Sequence, residues 1–579
     1  MMLNLIDKIG DWNPQLLREL KGRLKFFNVA IAVATSLLLQ LVVFLYQLQE
    51  LPGDKYSLDG TYCRLTQVFE QQEKQAFQNA DFNDLISKRF CPQNQINWQL
   101  WWRDHWEYIF LTFSVIFVFT LLVAGTYLLI NDLAKEETRG TLNFIRLSPQ
   151  SETSILTGKL LGVPSLIYLI ILVAVPLHLW AGRSAKIAFS YILSYYAILA
   201  ASCIFFYSAA LLFSLVSRWF SGFQPWLGSG AVFLFLLTTF QIASFDNSGT
   251  WHNSTAWLRL FAPWDATNYL FHNLFHLYKG SPLKNLQFFY LPLGTSIVSV
   301  VGLHLLNFGL CSYGILQALK RCFRNPQASI ISKKQSYLLV AFYQLMIWGF
   351  TLQNSKNNHR WDEQVGENFV LLALYNLVLI LSLIAVLSPH RQDVQDWARY
   401  RHQGVSSHKS VWQDLIWAEK SPALVALAIN LTIVTIPWLV WVSFTSVFDA
   451  NDGQNDIYRF KVILATALSI SLMMIYATIA QLILLLKTPK RSFWAIGTIG
   501  AAMFLPPMIL EFIGISSWKH STIWMFTTFP WAAVESAGVT TVFMALLADL
   551  SVLALLNFQL TRQVRLAGES ATKALLAGR

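Results

Sequence analysis

The sequence has 579 residues, of which 55% are hydrophobic and 13% are charged. Soluble proteins carry about 25% charged residues, so this composition excludes a water-soluble fold for most of the chain. The formal net charge is +11. Because the basic residues concentrate in segments predicted to face the cytoplasm, we attribute the charge to membrane topology and predict no nucleic-acid partner.

Membrane-spanning helices are the first elements that the sequence predicts. A helix needs roughly 20 apolar residues to cross the hydrocarbon core of a bilayer, and about twelve such runs occur. They occupy residues 26–48, 108–131, 160–182, 187–217, 219–245, 285–319, 335–355, 368–389, 421–448, 462–486, 492–510 and 536–560. None alternates with period two, which argues against a barrel. We predict an all-α polytopic protein in the lipid bilayer of the cytoplasmic (inner) membrane, with both termini cytoplasmic.

The segment before the first span is predicted to form an amphipathic helix. Asn13 is a suitable N-cap, and Pro14 is favoured at the first helical position. Leucines then fall on one face and basic residues on the other, at Leu16, Leu20, Leu24, Arg18, Lys21 and Lys25. This pattern is typical of a helix on a membrane surface. It could serve either as a topology anchor or as a contact for a partner.

The predicted outside loop at residues 50–107 contains Cys63 and Cys91. An oxidising compartment permits a disulfide between them. Sequence spacing does not establish that the geometry fits, so a disulfide and two free thiols are both open at this stage.

The predicted cytoplasmic segment 131–159 is the strongest functional candidate. It contains KEETRGTLNFIRLSPQSETSILTGK at residues 135–159, which combines charged and apolar side chains. Gly140 and the pair Ser148 and Pro149 divide it into short helices. The combination predicts a docking surface for a partner, and an ordinary basic cytoplasmic loop is the alternative.

The pattern E-x-x-R-G-T at residues 136–141, with S-P at 148–149 and G-K at 158–159, resembles that of type-2 ATP-binding-cassette (ABC) exporter permeases. In that family this segment carries a coupling helix that seats on the ATPase. The resemblance implies that cytosolic ABC ATPase subunits are partners and bind the ATP, and that this chain has no cofactor and is not itself an enzyme. The implied coupling residues are Glu136, Glu137, Arg139, Gly140, Thr141, Ser148, Pro149, Gly158 and Lys159.

An internal repeat predicts that the chain consists of two halves. Residues 254–266 align without gaps with residues 521–533, with six identities in thirteen positions. Six spans per half would place the repeats parallel to each other. We predict a first half at 1–325, with an outer re-entrant-like stretch at 246–284, and a second half at 326–579. The corresponding second loop, 389–420, lacks E-x-x-R-G-T, so we interpret this half as degenerate and leave its docking of an ATPase open.

Asp549 is the charged residue within the predicted spans. A carboxylate there is costly and marks either a functional site or a helix-packing contact. The spacing of potential ligands and nucleophiles predicts neither a metal site nor catalytic residues. The predicted function is therefore the permease subunit of an ABC exporter, working by alternating access on an unknown substrate. An ion-coupled secondary transporter and a membrane scaffold or sensor are the alternatives.

Overall fold

The computed structural model describes residues 8–49, 51–53, 56, 60–64, 91, 93–217, 222–245, 253–271, 274, 282–326, 328–353, 361–402, 410–444, 454–488, 490–534 and 536–569. At 361–367 and 454–459 it describes the backbone alone. These residues are overwhelmingly helical, and their one two-stranded sheet is the hairpin of β1 (Gln287–Phe288) and β2 (Leu291–Pro292).

Eleven helices among the described residues are long and apolar enough to cross a membrane. This confirms the predicted all-α polytopic class. About twelve spans were predicted, and the predicted span that is not among the eleven lies at residues 335–355. There the structure has a 19-residue helix, Lys333–Thr351. Two lysines at its start and glutamines along its length lower its hydropathy.

The chain divides into two compact units, and the first contains residues 1–247, 258–285 and 293–324. Up to Arg324 the helices are α1 (Pro14–Arg23), α2 (Phe26–Leu48), α3 (Trp98–Phe119), α4 (Gly125–Thr138), α5 (Thr141–Leu147), α6 (Glu152–Gly162), α7 (Ser165–Ser184), α8 (Phe189–Val216), α9 (Gln224–Phe245), α10 (Thr255–Arg259), α11 (Trp264–Leu270) and α12 (Ile297–Arg324). In this unit α2 packs on α7, α8 on α12 and α1 on α6.

The second unit contains residues 248–257, 286–292 and 325–579. Its helices after Asn325 are α13 (Lys333–Thr351), α14 (Trp361–Leu387), α15 (Arg391–His402), α16 (Val411–Trp417), α17 (Leu424–Phe444), α18 (Gln454–Leu484), α19 (Arg491–Phe512), α20 (Ser521–Trp524) and α21 (Val539–Gly568). Here α18 packs on α21, α15 on α21 and α13 on α17. A capping box of Ser332 and Gln335 begins α13.

The second predicted span belongs to one uninterrupted helix. A π-helical turn at Thr120–Ala124 joins α3 to α4, so that the helix covers Trp98–Thr138, 41 residues. At 1.5 Å per residue this is about 60 Å, roughly twice the hydrocarbon thickness. The Tyr207 hydroxyl donates to the Leu121 carbonyl in the π turn, at 2.8 Å. The long helix therefore carries the segment that follows it well beyond the membrane core.

Short helices lie at matching positions of the two aligned segments. The first segment contains α10, and Pro263 directly precedes α11. The second contains α20 and a 3₁₀ turn at Pro530–Ala532.

The two halves share a further feature that was not predicted from the sequence. Helix α7 contains Pro176 and α17 contains Pro437, and each proline lies in the predicted third span of its half.

The described parts of the two predicted outer stretches are tightly structured. Cys63 and Cys91 are joined by a disulfide, with 6.0 Å between their Cα atoms. Of the two alternatives, a disulfide and two free thiols, the structure therefore has the disulfide. In the stretch at 246–284, Arg259 and Asp265 form a buried ion pair and α11 is buried throughout. Residues 65–90, 246–252, 272–273 and 275–281 lie outside the described residues.

Candidate functional site at residues 131–159

The turn at Arg139 and Gly140 reverses the chain at the end of the long helix. α4 ends at Thr138, and Gly140 adopts φ 72°, a left-handed conformation that a side chain would strain. The Thr141 hydroxyl donates to the Glu136 carbonyl at 3.1 Å. These contacts place the seven-residue helix α5 directly at the tip of the 41-residue helix.

Helix α5 has one apolar face turned inwards and another turned outwards. Leu142 and Ile145 are buried against the first unit. Phe144 and Leu147, three residues apart, are 77% and 84% exposed. Neighbouring apolar side chains that remain exposed beyond the membrane core are typical of a surface that contacts a partner.

A buried lysine connects the helices on either side of α5 by ion pairs. Lys159 in α6 is fully buried, and its ammonium lies 2.8 Å from Asp132 Oδ2 and 2.7 Å from Glu136 Oε2, both in α4. It also lies 3.5 Å from Glu19 Oε1 in α1. One cation thus joins three helices that are separate in the sequence. A buried charge is tolerated when it is paired in this way.

Two arginines complete the ion network. Arg23 pairs with Glu19 at 3.3 Å and also with Asp132, and Arg18 lies 3.5 Å from Glu136. The network thus contains three acids and three bases. Burial lowers the pKa of the Lys159 ammonium, but attraction by Asp132, Glu136 and Glu19 outweighs it and holds that pKa above its usual value.

The same network includes an arrangement of carboxylates that could hold a cation. Oxygens of Glu19, Asp132 and Glu136 lie within 4.8 Å of one another. The Lys159 ammonium is within 3.5 Å of all three. The lysine therefore supplies the positive charge that these carboxylates need.

The N-terminal helix α1 is seated on α6 without intervening side chains. Asn13 caps α1 by accepting from the Leu16 amide at 2.9 Å and donates to the Ser154 carbonyl at 2.7 Å. A Cβ at Gly158 would lie 2.9 Å from the Leu16 nitrogen, and one at Gly162 would lie 2.5 Å from the Glu19 Cβ. These contacts attach α1 to its own chain, a role in addition to the topology anchor and the partner contact considered from the sequence.

The structure separates the nine predicted coupling residues into three groups by burial. Glu136, Gly158 and Lys159 are buried, the two charged residues within the ion network, whereas Arg139 and Pro149 are exposed. The remaining four are partly buried: Glu137, Gly140, Thr141 and Ser148. The Ser148 hydroxyl donates to the Ile145 carbonyl at 2.7 Å and so closes α5.

Three members of the ion network were not predicted from the sequence: Glu19, Arg23 and Asp132. One signal was available, because Glu19 and Arg23, and likewise Asp132 and Glu136, are spaced i,i+4 and therefore share a helix face. The spacing places each pair on one face of its helix, and the packing of α1, α4 and α6 brings those faces to Lys159.

The second unit has a comparable short helix with a different anchor. In α16, Trp412 is 68% exposed, and Val411 and Trp417 are exposed as well. Buried Lys333 donates to the Leu415 carbonyl at 2.8 Å, the Ser421 hydroxyl at 2.6 Å and the Pro422 carbonyl at 3.0 Å. Burial lowers the pKa of Lys333 to about 8, against weaker raising effects of Asp414 and Glu419.

Asp549 lies in α21 of the second unit. It is buried, and the Ser471 hydroxyl of α18 donates to its Oδ2 at 3.1 Å. The carboxylate therefore links two packed helices of the second unit.

Comparison with known proteins gives one match. A family model described as ABC-2 family transporter protein matches residues 28–318, half of the chain. The matched range begins in α2, ends in α12 and includes the whole candidate site except α1. No curated protein and no solved structure matches the chain.

Proposed function

The chain belongs to the ABC-2 transporter family and is a membrane permease of an ABC transporter, and we propose that it is an exporter subunit driven by a separate cytosolic ATPase. ATP is bound and hydrolysed by that partner, and the permease moves its substrate by alternating access. The cytoplasmic membrane is its location, with both termini on the ATPase side. The outward direction rests on the resemblance of residues 136–159 to exporter permeases.

The observation that supports ATPase docking best is the exposed pair Phe144 and Leu147 on α5. A surface that transmits force needs both an exposed contact and a rigid connection to the spanning helices. Helix α5 has both, because its inner face is buried and the adjoining helices α4 and α6 are joined through Lys159. Movement of an attached ATPase would therefore be passed to the 41-residue helix.

Helix α16 of the second unit is proposed as a second, weaker ATPase contact. Its exposed apolar residues are Val411, Trp412 and Trp417, and no two of them are one helical turn apart. Lys333 and Asp414 connect it to its neighbours, since Arg401 and the Trp397 indole both bond to the Asp414 carboxylate. This arrangement extends the prediction of one well-formed and one degenerate interface.

The proposal is tested by purifying the tagged full-length chain from its native membrane in mild detergent and identifying any co-purifying ATPase. We expect an ABC ATPase with the wild type and at least tenfold less of it with Phe144→Glu/Leu147→Glu, because the charges must be desolvated on docking. The matched variant Phe144→Leu/Leu147→Met keeps an apolar surface and should retain the ATPase.

Equal recovery of the ATPase with the glutamate variant would show that α5 is not the docking surface. If no ATPase is recovered with the wild type even after gentle cross-linking, a separate ATPase partner would be excluded. The ion-coupled alternative would then apply, and Asp549→Asn would be the next variant to measure.

A further inference from the structure

A cavity of about 80 Å³ lies inside the second unit, between α14, α17 and α18. Its wall is mainly apolar and includes Leu377, Val434, Trp438 and Met473, and none of its lining residues is charged. An apolar cavity of about 150 Å³ accommodates benzene, so this one suits a small group or the end of a chain. Several lining residues are only half-buried, which leaves a way in.

One buried amide hydrogen-bond donor in the cavity wall has no partner. Asn376 is 5% exposed and lines the cavity. Its Oδ1 accepts from Gln344 Nε2 at 2.6 Å, whereas its Nδ2 is buried and makes no hydrogen bond to the part of the chain that the structure describes. A buried donor without an acceptor is unfavourable, so this group indicates a missing partner.

The orientation of the Asn376 amide follows from its neighbours. The Trp348 indole nitrogen can only donate, and it donates to Gln344 Oε1 at 3.2 Å. The Gln344 amide nitrogen must therefore face Asn376, and it requires the Asn376 oxygen there. Exchanging the oxygen and nitrogen of Asn376 would place two donors together. The free group is thus the Nδ2 donor.

Three hydroxyl oxygens of the cavity wall can accept a hydrogen bond. Thr435, Thr466 and Ser469 each line the cavity. Each donates to a backbone carbonyl of its own helix, at 2.7, 2.8 and 2.9 Å respectively. Because a hydroxyl has two acceptor lone pairs in addition to its donor, these oxygens remain able to accept.

We propose that this cavity binds the hydroxyl end of an apolar, membrane-soluble alcohol. A hydroxyl can accept from Asn376 Nδ2 and donate to one of the three side-chain oxygens. A carbonyl would satisfy the amide alone, and a charged head group would be buried without a counter-ion. The apolar wall takes the adjoining hydrocarbon. This inference does not depend on the identity of the transported substrate or on ATPase docking.

The test uses the full-length chain in lipid nanodiscs and two photoreactive probes, a diazirine-bearing octanol and the matching diazirine-bearing octane. We expect labelled peptides from α14, α17 and α18, with the alcohol preferred about fivefold, the effect of one net hydrogen bond. Asn376→Leu should abolish the preference while labelling by both probes persists. Asn368→Leu, in the same helix and outside the cavity wall, should leave the preference unchanged.

Ala465→Phe should block labelling by both probes, because it fills the cavity from α18. Ala373→Leu fills it from α14 and replaces Ala465→Phe if that variant elutes as an aggregate on size-exclusion chromatography. Equal labelling by alcohol and alkane in the wild type would overturn the proposal, since Asn376 would then be satisfied by water or not at all. Labelling that persists in the filled variant would overturn it as well.

Discussion

Lys159 in the first unit and Lys333 in the second are both buried, and each lies near a seven-residue helix with exposed apolar side chains. Lys159 pairs with α4, the helix that precedes α5, and Lys333 donates directly to a carbonyl of α16. Carboxylates of three acids surround Lys159, whereas two carbonyls and one hydroxyl surround Lys333. The pKa of Lys159 is consequently raised and that of Lys333 lowered. The comparison shows that a buried lysine can connect neighbouring helices either through carboxylates, which raise its pKa, or through neutral oxygens, where burial lowers its pKa.

The interiors of the two units differ in a related way. In the first unit, His178 lies 3.0 Å from the Ser114 hydroxyl and 2.7 Å from the Tyr196 hydroxyl, and the Phe110 ring stacks on it. These side chains fill the space among α3, α7 and α8. Among the corresponding helices of the second unit, the structure has the cavity beside Asn376. At this position the first unit pairs its buried histidine with two hydroxyl groups, whereas the second leaves the Asn376 Nδ2 donor without a partner among the described residues.

The largest effect is expected from Lys159→Met. Removing the cation leaves three carboxylates close together, and breaking a buried ion pair typically costs about 3–5 kcal/mol. We expect a large loss of thermal stability and of monodisperse protein in detergent. Arg18→Met removes an exposed arginine at 3.5 Å from Glu136 and should cost no more than about 1 kcal/mol. An additional Asp132→Asn change should restore part of the stability, and no recovery would contradict charge imbalance as the cause.

A second pair of variants tests the close contact between α1 and α6 without changing any charge. Gly162→Ala would place a Cβ 2.5 Å from the Glu19 Cβ, and such overpacking costs about 1–3 kcal/mol. Gly22→Ala in α1 meets no atom within 4 Å and should stabilise that helix by up to about 1 kcal/mol. Melting temperatures of the two variants should therefore shift in opposite directions, and a shift in the same direction would contradict the contact of α1 with α6.

The opposite pKa shifts predict a pH dependence of stability that Lys333 produces and Lys159 does not. In the folded protein the pKa of Lys333 is about 8, below the ordinary 10.5. Above pH 8 the unfolded state therefore binds more protons than the folded state. The free energy of unfolding then rises with pH, by at most about 1.4 kcal/mol per pH unit. Lys159 has a raised pKa and contributes no slope there. Thermal stability from pH 7 to pH 9.5 should rise less steeply in Lys333→Met than in the wild type.

Lys334→Met is the control for that measurement, because Lys334 is the exposed neighbour of Lys333 in the same helix. Its pH profile should match that of the wild type. Identical profiles for all three proteins would show that Lys333 stays protonated throughout this range.

The smallest effect is expected at the second docking helix. Val411→Glu/Trp412→Glu should reduce co-purification of the ATPase by a factor of about three to ten, equivalent to about 1 kcal/mol, which is less than the effect of the Phe144 and Leu147 variant. Val411→Leu/Trp412→Phe is the apolar control. A larger loss at α16 than at α5 would reverse the order of the two interfaces.

Much of this molecule follows from local pattern. Apolar length predicts the spanning helices, because a lipid environment forces backbone hydrogen bonds to be made within each segment. Asn13 and Pro14 predict the start of α1, and Gly140 predicts the break before α5, since caps and left-handed turns depend on few residues. The family resemblance was likewise visible in residues 136–159, and the family match confirms it.

Long-range packing decided the roles of the individual side chains. Glu136 and Arg139 belong to one motif, yet the structure buries the first against Lys159 and exposes the second. Their neighbours in space, such as Glu19, come from more than a hundred residues away. Sequence periodicity determines which residues share a helix face, but only the packing of helices determines which cation or cavity that face meets. Tertiary structure alone therefore distinguished the buried ion network from the exposed surface proposed for docking, and it revealed the unpaired Asn376 donor.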